Sequence, residues 1–126
     1  MTLRLFGLLG LAAVAAVACK KDPTDSLRGG PALVLASPNP IFVDPGKTGS
    51  VLASLYDAQL NPLSAEFTAT SSAPAQVSVT PDNSSPDPRG TSQRFTVAAQ
   101  PGVTGVEVIV TISAAGISTK DTVRVN

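Results

Sequence analysis

Between Val106 and Val125 the chain alternates with a period of two on both sides of a tight turn. Val106, Val108, Val110 and Ile112 take every second position. Ala114-Ala115-Gly116 follows, and then Ile117, Thr119, Asp121, Val123 and Val125. Side chains two residues apart share a face in an extended strand and diverge in a helix. The pattern therefore predicts a β-hairpin with one face turned to a core. An isolated hairpin is marginal in water, so the rest of the chain must supply a facing sheet. Asp121 interrupts the apolar face, which predicts a bulge or an edge position there.

The preceding sequence meets that demand. From Ala32 onward, short apolar runs are divided by clusters of Pro, Gly, Asn, Asp and Ser. The predicted strands are Ala32–Ser37, Ile41–Val43, a strand with Val51, Ala53 and Leu55 on one face, Glu66–Thr70, Gln76–Thr80 and Arg94–Ala98. Leu52 and Tyr56 interrupt the alternation of the third, but the flanking Gly49 and Asn61-Pro62 favour a strand and turn over a helix. Pro38-Asn39-Pro40 divides the first two pieces, and Pro in a strand belongs at an edge or at a switch between sheets. The 11 Pro, 10 Gly and 25 Ser or Thr in 126 residues argue against a helical protein. The expected fold is all-β, a sandwich of about seven strands over residues 32–126. Phe67, Phe95 and Val97 are expected to face inward.

The first 31 residues read differently. Arg4 precedes an apolar run of 14 residues, Leu5–Ala18. As a helix this run would span about 21 Å at ~1.5 Å per residue, short of the ~30 Å of a bilayer core. A cation, a short apolar run and small residues at its end describe a secretory signal peptide, residues 1–18. Ala16, Val17 and Ala18 stand directly before Cys19, the one cysteine of the chain. This resembles the lipobox of bacterial lipoproteins, with Ala16 where that family usually has Leu. The resemblance implies that Cys19 becomes the mature N-terminus and carries covalent lipid, so that the membrane is a partner through the anchor. Lys20 follows where an Asp would retain many lipoproteins at the inner membrane, which implies the outer membrane or cell surface. Residues 19–31 set Lys20, Lys21 and Arg28 against Asp22 and Asp25, with Leu27 the one large apolar side chain after Cys19. Such a segment buries too little to offset its ordering entropy and reads as a flexible tether.

Gly46, Val51, Ala53, Leu55, Asp57, Asn61, Pro62 and Leu63 fall in the register of a second family. Its pattern is a Gly, an alternating strand and an Asp-x-x-Gly-Asn-Pro-Leu turn. Gly105 before Val106–Ile112 and the closing Val123 and Val125 match as well. On these residues the domain resembles bacterial immunoglobulin-like domains of the invasin and intimin type (group 2). Leu60 stands where the turn Gly usually is, and Ala69 where a core Trp usually is. The resemblance implies an immunoglobulin-like sandwich used for adhesion, spacing or docking, and a fold of this kind implies no chemistry by itself.

The residues offer little for catalysis. There is no His and no Trp, and 9 basic side chains balance 9 acidic ones. The missing His removes the commonest general base and metal ligand, and the neutral charge gives no field for nucleic acid. Gly46-Lys47-Thr48 resembles the tail of a phosphate-binding loop, but Ile41 stands where its first Gly belongs and a strand follows, so it reads as a turn. No Gly-x-Ser-x-Gly or Ser-x-x-Lys arrangement occurs. No cofactor, no metal site and no enzymatic activity are expected. Asp82, Asn83 and Asp87 are oxygen donors suited to calcium, but their spacing fits no calcium loop and they read as turn residues. Asn83-Ser84-Ser85 is a sequon that reads as incidental. The longest connection, Pro81–Ser92, carries three Pro and the polar groups of Asp82, Asn83, Asp87 and Arg89, and it is the candidate binding loop. The edge near Ile117–Val125 is the competing surface, through strand addition. The expected partner is an envelope protein or a glycan. Alternatives are an accessory subunit of a larger envelope complex and a carbohydrate-binding module, the latter needing platforms from Phe42, Tyr56, Phe67 or Phe95.

Overall fold

The computed structural model describes residues 30–126. Cys19, the predicted signal peptide and most of the predicted tether lie outside the described residues. Eight strands follow in order: β1 Pro31–Ser37, β2 Ile41–Val43, β3 Thr48–Asp57, β4 Phe67–Ser71, β5 Val77–Asp82, β6 Ser92–Ala99, β7 Glu107–Ala114 and β8 Ile117–Val125. They form two four-stranded sheets with the orders β1-β3-β6-β5 and β2-β8-β7-β4.

β1 and β2 are two halves of one strand. The chain crosses from one sheet to the other at Pro38-Asn39-Pro40, where both X-Pro bonds are cis. Counted as one, they leave seven strands whose sheets have the membership and order of an immunoglobulin domain, with the first strand shared between sheets. All pairs are antiparallel except β2 with β8. Gly49 permits the close packing of β2 on β3: a Cβ there would lie 3.2 Å from Val43 Cγ2 and 3.4 Å from Ile41 Cγ2.

The period-two reading holds in three dimensions. Val51, Ala53 and Leu55 of β3, Phe95 and Val97 of β6, and Val108, Val110 and Ile112 of β7 are all buried between the sheets. Leu52, Tyr56 and Ile109 lie on outer faces, half-buried. Phe67 is half-buried at the rim and packs on the core.

Asp121 departs from the expectation. β8 runs beside β7 without a register shift, from Ala114↔Ile117 to Glu107↔Arg124. There is no bulge, and Asp121 is fully buried opposite Val110. Both of its carboxylate oxygens lack a hydrogen-bond partner.

The expected open edge at Ile117–Val125 is also different. β8 is an interior strand where β2 covers Val123–Val125. Above β2 the Asn39 side chain takes over: its Nδ2 donates to the Lys120 carbonyl (3.3 Å), and its Oδ1 accepts from the Thr122 amide (3.2 Å). One primary amide thus imitates the missing strand.

Candidate functional site

The candidate loop is shorter than its sequence suggests. Pro81 and Asp82 continue β5, paired with Phe95 and Arg94, and Ser92 opens β6. Residues 83–91 form the connection. The candidate residues therefore do different things.

Asp87 organises the loop. Its Oδ2 accepts from the Thr91 amide (2.9 Å), the Thr91 hydroxyl (2.7 Å), the Ser92 amide (3.1 Å) and the Ser92 hydroxyl (3.3 Å). Its Oδ1 accepts from the Arg89 amide at 3.1 Å. The Thr91 hydroxyl, followed by the Arg89 amide, holds the Asp87 carboxyl down to about 2, against a partial desolvation that works the other way. The local sequence explains the shape: in Asp87-Pro88-Arg89-Gly90 the Gly90 amide bonds the Asp87 carbonyl (3.0 Å), Pro88 supplies the fixed φ of a turn, and Gly90 takes φ +70°.

Asp82 caps the other side. Its Oδ1 accepts from the Ser84 hydroxyl (2.7 Å) and amide (3.0 Å), which lower its pKa, with a smaller contribution from the charge of Arg94. Asn83 Oδ1 accepts from Gln93 Nε2 at 3.0 Å. Asn83 and Arg89 are both exposed; the Arg89 amide and carbonyl are engaged within the fold, while its side chain is, among the described residues, in no ion pair.

The loop is clamped to the connection before β4. Ser64 Oγ donates to the Arg89 carbonyl (2.6 Å), and the Ala65 amide donates to the Gly90 carbonyl (3.1 Å). Between the loop and β4 lies a cleft of about 400 Å³, walled by Glu66, Phe67 and Thr68 on one side and Pro86, Asp87 and Gln93 on the other. A second cleft of about 150 Å³, reaching Leu52 and Arg94, opens on the other side of Pro86 and Asp87.

Asp82 and Asp87 spend oxygens on their own loop, and no group of three or more metal-ligating side chains occurs among the described residues. Sequence reasoning missed Ser64, Thr91, Ser92 and Gln93 as the residues that hold the loop. The Asp87-x-x-x-Thr91-Ser92 spacing could have pointed to the last turn. Nothing local could have brought Glu66 and Phe67 to Pro86. Of the aromatic side chains weighed for sugar binding, Phe95 is buried, Tyr56 and Phe67 are half-buried, and Phe42 is 61% exposed on β2, at the opposite edge of its sheet from β4.

No protein-family model matches the chain, and no curated protein matches it. Solved structures do. Domains 4 and 5 of the S-layer protein SbsC superpose with a TM-score of 0.64 at 19% identity, covering 75% of this chain and 51% of that one. Domains 5–6 of SbsC give 0.65 at 19% identity, covering 76% and 44%. This chain thus spans about half the length of those pieces, and 13% of a piece holding SbsC domains 1–6. At this identity the likeness is one of fold.

Proposed function

We propose that this protein is a lipid-anchored, non-catalytic immunoglobulin-like module of the bacterial cell envelope. In this reading residues 1–18 direct export, Cys19 carries the lipid, and residues 19–31 hold the sandwich away from an outer membrane or cell surface. The domain belongs with modules of the invasin and intimin type, and its loop at residues 83–91 recognises an envelope protein or glycan. The S-layer likeness supports a surface setting. The observation that carries the recognition role is the loop itself. Asp87 gathers five hydrogen bonds and so holds Arg89 and the 400 Å³ cleft in place before any partner arrives. A preorganised loop gives up little entropy on binding.

Two measurements test this reading. Mass spectrometry of the membrane fraction is expected to find an acylated Cys19 peptide. Recovery of the mature chain as a soluble protein with a free Cys19 thiol would overturn the anchor. For the loop, a photo-crosslinking side chain at Arg89 in intact envelope is expected to capture one specific partner. Replacing Asn83–Arg89 by a short Gly-Ser linker is expected to abolish capture from a second reporter at Thr68 while the domain stays folded. Capture that survives the replacement would remove the loop from the function.

A further inference from the structure

The sandwich has four edge strands, and three of them are defended against pairing. β1 opens on Pro31 and carries a register shift between Pro31 and Leu33. β2 is three residues long between Pro40 and Asp44-Pro45, and the part of β8 that it leaves open is plugged by Asn39 beside Lys120. β5 contains Pro81, which has no N–H to offer. Short edges, bulges, Pro and Lys are the devices by which proteins avoid adding a foreign strand.

β4, five residues long, has no Pro, no Lys and no bulge. Phe67-Thr68-Ala69-Thr70-Ser71 contains no Pro and no charge, and it pairs with β7 in unbroken register. The Ser72 amide bonds the Ile109 carbonyl (2.8 Å), so the even-numbered residues direct their backbone groups toward β7. The amides and carbonyls of Phe67, Ala69 and Ser71 therefore point away from the sheet. The space beside them is a pair of clefts, bounded by Pro86 and Asp87 of the loop at one end and by Pro74, Ser78 and Val79 at the other. The 400 Å³ cleft lies along Glu66–Thr68, and a second groove of about 370 Å³ lies along Ala69–Ser71 against Pro74 and Val79.

We propose that this edge pairs with β4 of a second copy of the chain, antiparallel and centred on Ala69. The sequence of the edge is complementary to itself in that register. Ala69 meets Ala69, Phe67 meets Ser71 and Thr68 meets Thr70, so both outer-face pairs are Thr–Thr, a favourable cross-strand combination. Glu66 falls opposite Ser72 and meets no like charge. The three outward residues of each copy exchange every amide and carbonyl with the other. The contact is isologous and closes as a two-fold dimer, joining two four-stranded sheets into one of eight strands. The proposal is independent of the lipid anchor, but it shares the cleft beside Thr68 with the loop's partner, so capture of a second copy from Thr68 belongs to this contact and not to that partner.

The test is the mass of the full chain by sedimentation equilibrium in density-matched detergent, with micelles in large molar excess so that chance co-occupancy is negligible. A dimer is expected, at twice the mass of one chain. Thr68→Lys/Thr70→Lys sets cation against cation on an exposed face and is expected to halve the mass while the melting curve stays cooperative. Ala69→Pro removes an amide that the single sandwich does not use, and it is expected to do the same. A wild-type chain that is monomeric at all concentrations would overturn the proposal, and so would a folded Thr68→Lys/Thr70→Lys variant that remains dimeric. A dimer abolished by the Lys variant but kept by a control Thr80→Lys on β5 would support β4 as the contact.

Discussion

Asp57 and Asp121 are the two buried carboxylates among the described residues, 2% and 0% exposed, and their circumstances are opposite. Asp57 closes β3. Its Oδ1 accepts from the amides of Gln59 (2.9 Å) and Asn61 (2.8 Å), and its Oδ2 accepts from Asn61 Nδ2 (3.2 Å). The Asn61 amide, ahead of the opposing desolvation, holds its pKa below the usual carboxylate range. Asp121 sits within β8 with no partner, and burial pushes its pKa up to about 6. The difference is one of position along a strand. Past a strand end the backbone turns, and its amides are unspent and can converge on one side chain. Within a strand they are committed to the ladder. The amide of Thr122 lies close enough to favour the charged form slightly, but its hydrogen bond goes to Asn39. Burial alone thus says little about a carboxylate; the supply of free donors decides.

The comparison breaks hardest where a third carboxylate is placed mid-strand. Val108→Asp puts a charge at a fully buried site of an interior strand, where no donor is free, at roughly 3–5 kcal/mol. A domain of this size holds only about 5–15 kcal/mol in all. Loss of the cooperative melting transition at neutral pH is expected. Ile109→Asp, one residue on and half-exposed on the outer face, is expected to lose about 1 kcal/mol. Equal losses in melting temperature would mean that the two faces of β7 are not distinct.

Asp121→Val removes the orphaned carboxylate and leaves a β-branched side chain opposite Val110. Replacing buried ionic groups by apolar ones of similar volume stabilises by about 1–4 kcal/mol, which corresponds to roughly 4–8 °C of melting temperature per kcal/mol at this chain length. A fall in melting temperature at pH 7 would show that the Asp121 carboxylate has a favourable partner after all.

The two classes of carboxylate also predict a stability profile with pH. Below about pH 4 Asp121 is protonated in both the folded and the unfolded chain. From there to about pH 6 only the folded chain keeps that proton, so stability falls as pH rises through this window. Asp57, Asp82 and Asp87 act in reverse. Their folded pKa values are depressed, so their contribution is complete above about pH 4 and is lost on acidification, for Asp87 as pH falls toward about 2. Thermal melts across this range should show a maximum near pH 4–5 for the native chain. In Asp121→Val the upper slope should vanish, leaving a plateau toward neutral pH. A native profile that rises steadily from pH 4 to pH 7 would contradict the assignment.

The smallest effect concerns the turn that serves Asp57. Leu60 adopts φ +66° there and is 65% exposed. A left-handed conformation costs an L-residue roughly 1 kcal/mol that glycine avoids. Leu60→Gly is expected to stabilise by about 0.5–1 kcal/mol, less the extra entropy of glycine in the unfolded chain. A loss of more than this amount in chemical denaturation would show that the Leu60 side chain holds the turn.

How much of this was legible beforehand depends on the range of the interaction. The strand faces were open to reading, because a period of two is a property of each segment and needs no partner. So was the break at Pro38-Asn39-Pro40, as an edge or a switch between sheets, because proline's missing N–H is local; that it is the switch came from the structure. The Asp87-Pro88-Arg89-Gly90 turn is of the same kind. By contrast, Asp121 looked like an edge residue, since a charge in an apolar face is most cheaply kept near water. Only the assembled sheets show β8 hemmed in by β7, β2 and the Asn39 amide. The β4 edge was not visible either: Phe67–Ser71 reads like any short strand until its neighbours are known, because which strand stays unpaired follows from the positions of all the others. The cleft between Glu66–Thr68 and the residue 83–91 loop arises in the same way, from two segments that the fold brings together. The sequence by itself determined which side of each strand faces the core, since that is written in adjacent residues. The tertiary structure alone decided which backbone groups and which carboxylate were left without partners, since a missing partner is a property of the whole assembly.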